Sequence, residues 1–504
     1  MRKKSILIGI MVMLVLSVTA AARAQSASTF PEFPKDNKAA AFINSHGFAI
    51  EKGASAEWRK MEGVAVDAVN KKLYVAVTAV QKGMSDDKGG IRLKDNPCGA
   101  VFMGTLDADN NVSALTPVVV GGPYDKANNA YACNPDSISN PDNLFVDAKG
   151  NLWIGEDTDY HKNQMLWMWD GKALKRFATY PAGAEVTGLR AEPNGTLFLN
   201  IQHPEPTNVY PFNRGLIGVV TGFKAGDDFT PVGIPKGDDT KRITIAAGKY
   251  QVLGRMGEAI PGASDGERFG AIIQADGKTQ IICNNPDGNM YLPTASDYSE
   301  GYLYTNCEFS PGGISRMYIK QNADGHWNVI EGDLVDFLSV GGTWSPCNAS
   351  VTPWGTALSS EEYPPDVADE WDGGWIPVAP MMAAYLGKAA NPYNVGYTTE
   401  LTPTGGEDGG VGTKVVKHYA MGRFSKEMAL VMPDSKTVYF GDDGTNRVFY
   451  KFVADKAEDL SAGTLYAAQV TTEGETLKLT WIMLGQGNDA DIAKEVEALA
   501  ATIK

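Results

Sequence analysis

Histidine is scarce in this chain, with five residues in 504. A histidine-rich zinc site is excluded on that ground, and the H-E-x-x-H pair of metalloproteases does not occur. Neither a G-x-x-x-x-G-K-[S/T] phosphate loop nor an EF-hand calcium loop is found. Basic residues are outnumbered by acidic ones, 45 to 60, for a net charge of −15. Such a chain lacks the excess of Lys and Arg that neutralises nucleic-acid phosphates, so no nucleic-acid-binding surface is expected. Past the N-terminus, no apolar run is long enough to span a bilayer. The five cysteines, Cys98, Cys133, Cys283, Cys307 and Cys347, form no C-x-x-C pair. In an exported protein an odd number leaves at least one thiol unpaired or with another task.

Export is read from the leader. Arg2, Lys3 and Lys4 precede an apolar run from Ile6 to about Val18, and Ala22-Arg23-Ala24 precedes Gln25. A basic start, an apolar middle and a small-x-small end make a secretory signal peptide over residues 1–24. No cysteine follows the run to carry a lipid, so no membrane attachment is expected after cleavage. The mature protein is expected in the periplasm or secreted, as a monomer. Its charge becomes −19, because the leader removes four basic residues and no acidic one. Cys98 and Cys133 lie in similar Gly/Pro/Asn-rich sequence. They are a candidate disulfide, with two free thiols as the equal alternative.

A short hairpin recurs along the chain. Glu62-Gly63-Val64-Ala65-Val66-Asp67 returns as Leu73-Tyr74-Val75-Ala76-Val77. Asp142-Asn143-Leu144-Phe145-Val146-Asp147 turns at Lys149-Gly150-Asn151 and returns through Leu152 to Asp157. Glu185-Val186-Thr187-Gly188-Leu189 turns at Pro193-Asn194-Gly195 and returns through Leu197 to Asn200. Similar units begin near Phe269, Cys347 and Glu427. Alternating strands bounded by Asn/Asp/Gly turns are hairpins. Their repetition predicts an all-β, six-bladed β-propeller over residues 58–488. A β-sandwich or two separate β domains are the alternatives. Residues 25–57 are expected to be an N-terminal extension, 80–140 and 363–415 to be inserted loops, and 489–504 a C-terminal helix.

The hairpins share a chemical feature. An acid or other metal-capable group stands just before the first strand, and another just after the second. Glu62, Asp142, Glu185, Cys347 and Glu427 occupy the entry side. Glu156/Asp157, His203, Asn306/Glu308, Glu361/Glu362 and Asp442/Asp443 occupy the exit side. In an antiparallel hairpin these positions are neighbours at one end. If every first strand lines one axis, the groups converge on one mouth. Carboxylates gathered there cannot all stay ionised without cations. Oxygen donors suit calcium, and a thiolate among them suits a transition metal. The plainer alternative is that each acid only satisfies turn backbone.

Cys347 followed by Thr352-Pro353-Trp354-Gly355-Thr356 and Glu361-Glu362 resembles the signature of PhoX-type alkaline phosphatases. Thr305-Asn306-Cys307-Glu308-Phe309 is similar to that family's Val-Asn-His-Glu-Tyr segment. Gly422-Arg423-Phe424-Ser425-Lys426-Glu427 is similar to its Gly-Arg-Phe-x-His-Glu. Gly441-Asp442-Asp443, Pro141-Asp142-Asn143-Leu144, Glu185-Val186-Thr187-Gly188 and Gln202-His203-Pro204 complete the set. The resemblance spans about residues 58–485. It implies a propeller with calcium and iron in its mouth that hydrolyses small phosphate esters. It implies Glu62, Asp142, Glu185, Glu308, Cys347, Glu361 and Glu427 as metal ligands, with Cys347 holding iron. Asn306, Lys60 and Arg59 would contact phosphate. The segments with Glu62, Asp142 and Glu185 come first here and last in typical members, which reads as a circular permutation. Lys60, beside Arg59, stands where the family has Arg. A calcium-dependent propeller lactonase and a non-catalytic, metal-stabilised propeller are the rival readings.

Overall fold

Runs such as Leu73-Tyr74-Val75-Ala76-Val77 and Leu197-Phe198-Leu199-Asn200-Ile201 are rich in β-branched, aromatic and aliphatic side chains. They form strands buried along their length. The structure, a computed structural model, describes residues 39–264, 266–365, 371, 378–405 and 411–501. The expected leader lies outside the described residues. The protein is all-β, built of antiparallel sheets with a few short helices.

Six strands share one role, each opening a sheet. They are Trp58–Asp67, Pro141–Val146, Glu185–Ala191, Pro286–Pro293, Pro346–Val351 and Lys426–Val431. Each pairs antiparallel with the strand that follows it. Each also lies against the first strand of the next sheet, and Lys426–Val431 lies against Trp58–Asp67. The first and last sheets are stitched together as well. Trp58–Asp67 pairs with Thr437–Arg447, and Ala114–Val120 pairs with Thr476–Asn488, making one nine-stranded sheet. Apolar side chains fill the spaces between sheets, as where Trp153, Phe177, Phe223 and Phe229 pack ring against ring.

Several expectations are corrected. The fourth unit begins at Pro286, not near Phe269; Ala271–Ile273 and Gln280–Ile282 form a separate two-stranded ribbon. Their alternating apolar residues imitate a sheet-opening hairpin. Residues 80–140 are not only an insertion, since Ala100–Thr105 and Ala114–Val120 are the outer strands of the first sheet. Likewise Thr398–Gly405 and Val411–His418 extend the fifth sheet. The segment before Trp58 is part of the core. Phe42 and Ile43, on a short helix, share a cluster with Met421, Phe424 and Leu465. The helix Asp489–Ala500 buries Ile492, Val496 and Leu499 in the same cluster. Cys98 is bonded to Cys133 and Cys283 to Cys307, which leaves Cys347 as a buried free thiol.

Candidate metal centre

Five of the six first strands carry the same irregularity, and it falls on the candidate ligands. Regular pairing is interrupted between Met61 and Val64, Pro141 and Leu144, Pro286 and Asn289, Pro346 and Ala349, and Lys426 and Ala429. The residues inside these breaks are Glu62-Gly63, Asp142-Asn143, Asp287-Gly288, Cys347-Asn348 and Glu427-Met428. A bulge turns a side chain away from the regular alternation. The same spot brings neighbouring first strands very close. A Cβ on Gly63 would lie 2.4 Å from the Asp142 carbonyl oxygen, and one on Gly288 would lie 2.5 Å from Ala349 Cβ. Only glycine permits that approach.

The exit side obeys a second rule. In the sheets opened by Pro141, Pro346 and Lys426, the last paired residue of the second strand faces the packed interior and the next residue faces the gathered acids, because strand side chains alternate. Glu361 is paired opposite Pro346. Its carboxylate accepts from the Gly396 and Tyr397 amides at 2.8 and 3.1 Å and pairs with buried Lys417 at 3.0 Å. Glu361 is therefore not among the gathered acids, and Glu362 takes its place. Glu156 is similarly spent on Ser139, Met165, Trp167 and His161. Asp442 accepts from the Val448 amide at 3.1 Å. Their successors Asp157 and Asp443 approach Lys60.

The gathered donors fall into four overlapping sets, each with its atoms within 4.8 Å of one another. They are Asp287–Glu308–Cys347, Cys347–Glu362–Glu427, Glu62–Glu362–Asp443 and Glu62–Asp142–Glu427. The Cys347 thiol lies 3.0 Å from Asp287 Oδ2 and 2.9 Å from Glu427 Oε2. Glu185 stands beside the sets without joining one, 3.0 Å from His203 Nε2. It precedes any break in its strand's pairing, which starts at Glu185 opposite Gln202. Gln202 donates to Glu308 at 2.8 Å, Thr78 to Glu62 at 3.1 Å and Asn143 to Asp142 at 3.0 Å. Tyr363 donates to Asp443.

Electrostatics oppose the ionisation of these groups where no cation neutralises them. Burial, then the nearby Asp443, push Glu62 up to about 8, against the opposing pull of Lys60. Burial, then Asp287, push Glu308 up to about 8. Asp287 rises to about 7, chiefly through burial. Burial and neighbouring carboxylates also raise Asp142, Glu185, Glu362, Glu427 and the Cys347 thiol. Asp142 Oδ1 and Asp287 Oδ1 are buried with no hydrogen-bond partner among the described residues. Orphaned acceptors amid like charges are what a cation satisfies, so the donor set fits bound metal.

The expected phosphate contacts are arranged otherwise. Asn306 is fully buried. Its amide donates to the Cys347 carbonyl at 2.6 Å and its oxygen accepts from Ser359 at 3.0 Å. Both polar groups of its side chain are thus engaged, one of them in supporting the Cys347 backbone. Arg59 bonds Thr445 Oγ1 at 2.9 Å on the seam between first and last sheets. Lys60 turns inward to the acids, with Nζ 3.0 Å from Glu62. Asp287 is the residue that sequence reasoning missed. Asn285-Pro286-Asp287 repeats Asn140-Pro141-Asp142. The triplet alone does not discriminate, because Asn134-Pro135-Asp136 lies in a loop where Asp136 pairs with Arg176. Gly262 to Gly266 spells G-x-S-x-G, yet no described strand leads into it and no described helix follows.

Fold and site together define an all-β protein whose sheets bring a buried carboxylate–thiol centre to one place. The family model for alkaline phosphatase PhoX matches residues 28–205 and 312–503, and the chain belongs to that family. No curated protein matches. Among solved structures, Pseudomonas fluorescens PhoX in complex with vanadate, a transition-state analogue, is 20% identical with a TM-score of 0.35. That match covers 50% of this chain and 60% of the Pseudomonas chain. A Xanthomonas campestris gluconolactonase is 13% identical, TM-score 0.26, covering 62% of this chain and 90% of that one. A luciferin-regenerating enzyme is 10% identical, TM-score 0.33, covering 85% and 95%.

Proposed function

We propose that this protein is a metal-dependent phosphatase of small phosphomonoesters, extending to some diesters. Its six sheet-opening strands would be the inner strands of six propeller blades, with the metal centre at one mouth. The observation that carries the reading is the set of four overlapping donor groups built on Glu62, Cys347, Glu362 and Glu427, within a chain of the PhoX family. The oxygen-only set Glu62–Asp142–Glu427 suits calcium; Glu62–Glu362–Asp443 has the same donor type with the Lys60 ammonium already against it. The two sets that share Cys347 suit a softer metal, for which iron is our assignment. Bound metal supplies Lewis-acid polarisation of phosphoryl oxygens.

The chain's own residues prepare that chemistry. Thr78, Asn143 and Gln202 orient Glu62, Asp142 and Glu308 by hydrogen bonds, and such support fixes ligand geometry. Lys60 offers a point charge to a phosphate oxygen, without the fork of an arginine, and Arg59 lies next to it at the seam. Two disulfides suit an oxidising compartment, which supports a periplasmic or secreted protein. No helix among the described residues is long and apolar enough to cross a membrane.

The test is hydrolysis of p-nitrophenyl phosphate by the mature protein with calcium and iron, then with chelator. Turnover that vanishes with chelator and returns with metal is expected. Folded, metal-replete protein that hydrolyses neither mono- nor diesters overturns the reading, and lactones are then the next substrates to try.

A further inference from the structure

Lys60 sits in an unusual place for an ammonium. Its Nζ lies 3.0 Å from Glu62 Oε1, 3.5 Å from Asp157 Oδ2 and 4.0 Å from Asp443 Oδ1. Glu62 and Asp443 are two of the three members of the Glu62–Glu362–Asp443 set. The position is built into the backbone. Lys60 has φ +48°, in the left-handed region that a residue with a Cβ enters at a cost of about 1 kcal/mol or more. Pairing with Thr437–Arg447 shifts between Arg59 and Met61, so Lys60 falls in the break. The Lys60 carbonyl accepts from the Thr78 amide at 3.0 Å, and the Thr78 hydroxyl holds Glu62 and the Pro141 carbonyl, each at 3.1 Å. The main chain thus fixes where this side chain starts, and from there its ammonium reaches the acids.

We infer that the Lys60 ammonium takes the place of one divalent cation, so that the Glu62–Glu362–Asp443 set holds no metal of its own. The inference rests on the metal-centre reading above. An ammonium carries one charge and three donors. Two of its donors would satisfy Glu62 and Asp157, and the third remains for a phosphate oxygen. A divalent ion in the same set would face this charge at close range, where like charges repel strongly. The remaining sets keep their metals: Glu62 is shared with Lys60, but Asp142 and Glu427 complete one set, and Asp287, Glu308, Cys347, Glu362 and Glu427 the others, without an ion pair to Lys60.

Metal content per chain tests this without reference to activity. Purified full-length protein would be equilibrated with calcium and ferrous iron, dialysed and measured by inductively coupled plasma mass spectrometry. Lys60→Met, which removes the charge at similar length, is expected to gain one calcium per chain over the wild type with iron unchanged. Lys60→Gly should gain the same ion, and it relaxes the positive φ, so it guards against a folding failure. Lys60→Arg keeps the charge and should match the wild type. Equal calcium in wild type, Lys60→Met and Lys60→Gly overturns the inference while leaving the metal centre standing. A wild type that binds no metal instead overturns the metal-centre reading itself.

Discussion

Glu361 and Glu362 are adjacent and chemically identical, yet their loss should have opposite consequences. Glu361→Gln removes the negative charge facing Lys417, whose ammonium also meets the Gly342 and Asn394 carbonyls at 3.1 and 2.7 Å. Both side chains are almost fully enclosed. Breaking a buried pair on one side costs about 3–5 kcal/mol, since the partner charge is left uncompensated. The glutamine oxygen can still accept from the Gly396 or Tyr397 amide, which favours the low end, about 3 kcal/mol. Glu362→Gln takes one charge from a group where burial and the neighbours Asp443 and Glu427 already oppose ionisation. The metal-free protein should lose no stability. Its iron affinity should fall by about a hundredfold or more, because Glu362 joins Cys347 and Glu427 in one donor set. Urea unfolding of the metal-free variants and iron titration of the folded ones separate the effects. A Glu361→Gln protein of normal stability and weakened metal binding, or a Glu362→Gln protein that unfolds while binding metal normally, refutes the facing rule.

Three further outcomes follow from other parts of the molecule. Cys347→Ser should keep the fold and the calcium while losing iron, measured as metal per chain; retention of iron would sink the thiolate assignment. Removing metal with chelator should lower the melting temperature, and calcium at a hundredfold over its dissociation constant should restore about 2.7 kcal/mol; unchanged melting would mean that the acids hold no ion. At His418, burial opposes the charge, but its two ring N–H groups donate to the carboxylates of Asp489 and Glu400 at 2.9 and 3.0 Å, which push the pKa up to about 9. A raised histidine pKa stabilises fully below about pH 6.5, and that contribution, roughly 3 kcal/mol at most, fades as pH rises through about 9. Urea midpoints at pH 6 and 9.5 should therefore converge in His418→Gln; an identical fall in the wild type and the variant would assign the pH dependence elsewhere.

The amino-acid order by itself determined the strands and most of the acid positions. Period-two alternation with Asn/Asp/Gly turns is a local property, so the hairpins at Glu62, Asp142 and Glu185 could be read directly. The acids at their ends followed, and Glu62, Asp142, Glu308, Cys347 and Glu427 do meet in space. The ribbon at Ala271–Ile282 carries the same local signal without opening a sheet, whereas the strand that does open it starts at Pro286 and carries Asp287. Which of two neighbouring acids faces the centre depended on pairing register. A shift of one residue reverses a side chain's face, so Glu361 goes to Lys417 and Glu362 to the metal group. Bulges at five first strands, the burial of Asn306 against the Cys347 backbone and the inward aim of Lys60 arise only from contacts between segments far apart in the chain. Those contacts decide the charge balance of the centre, because a carboxylate's ionisation depends on what tertiary packing places within a few ångströms of it.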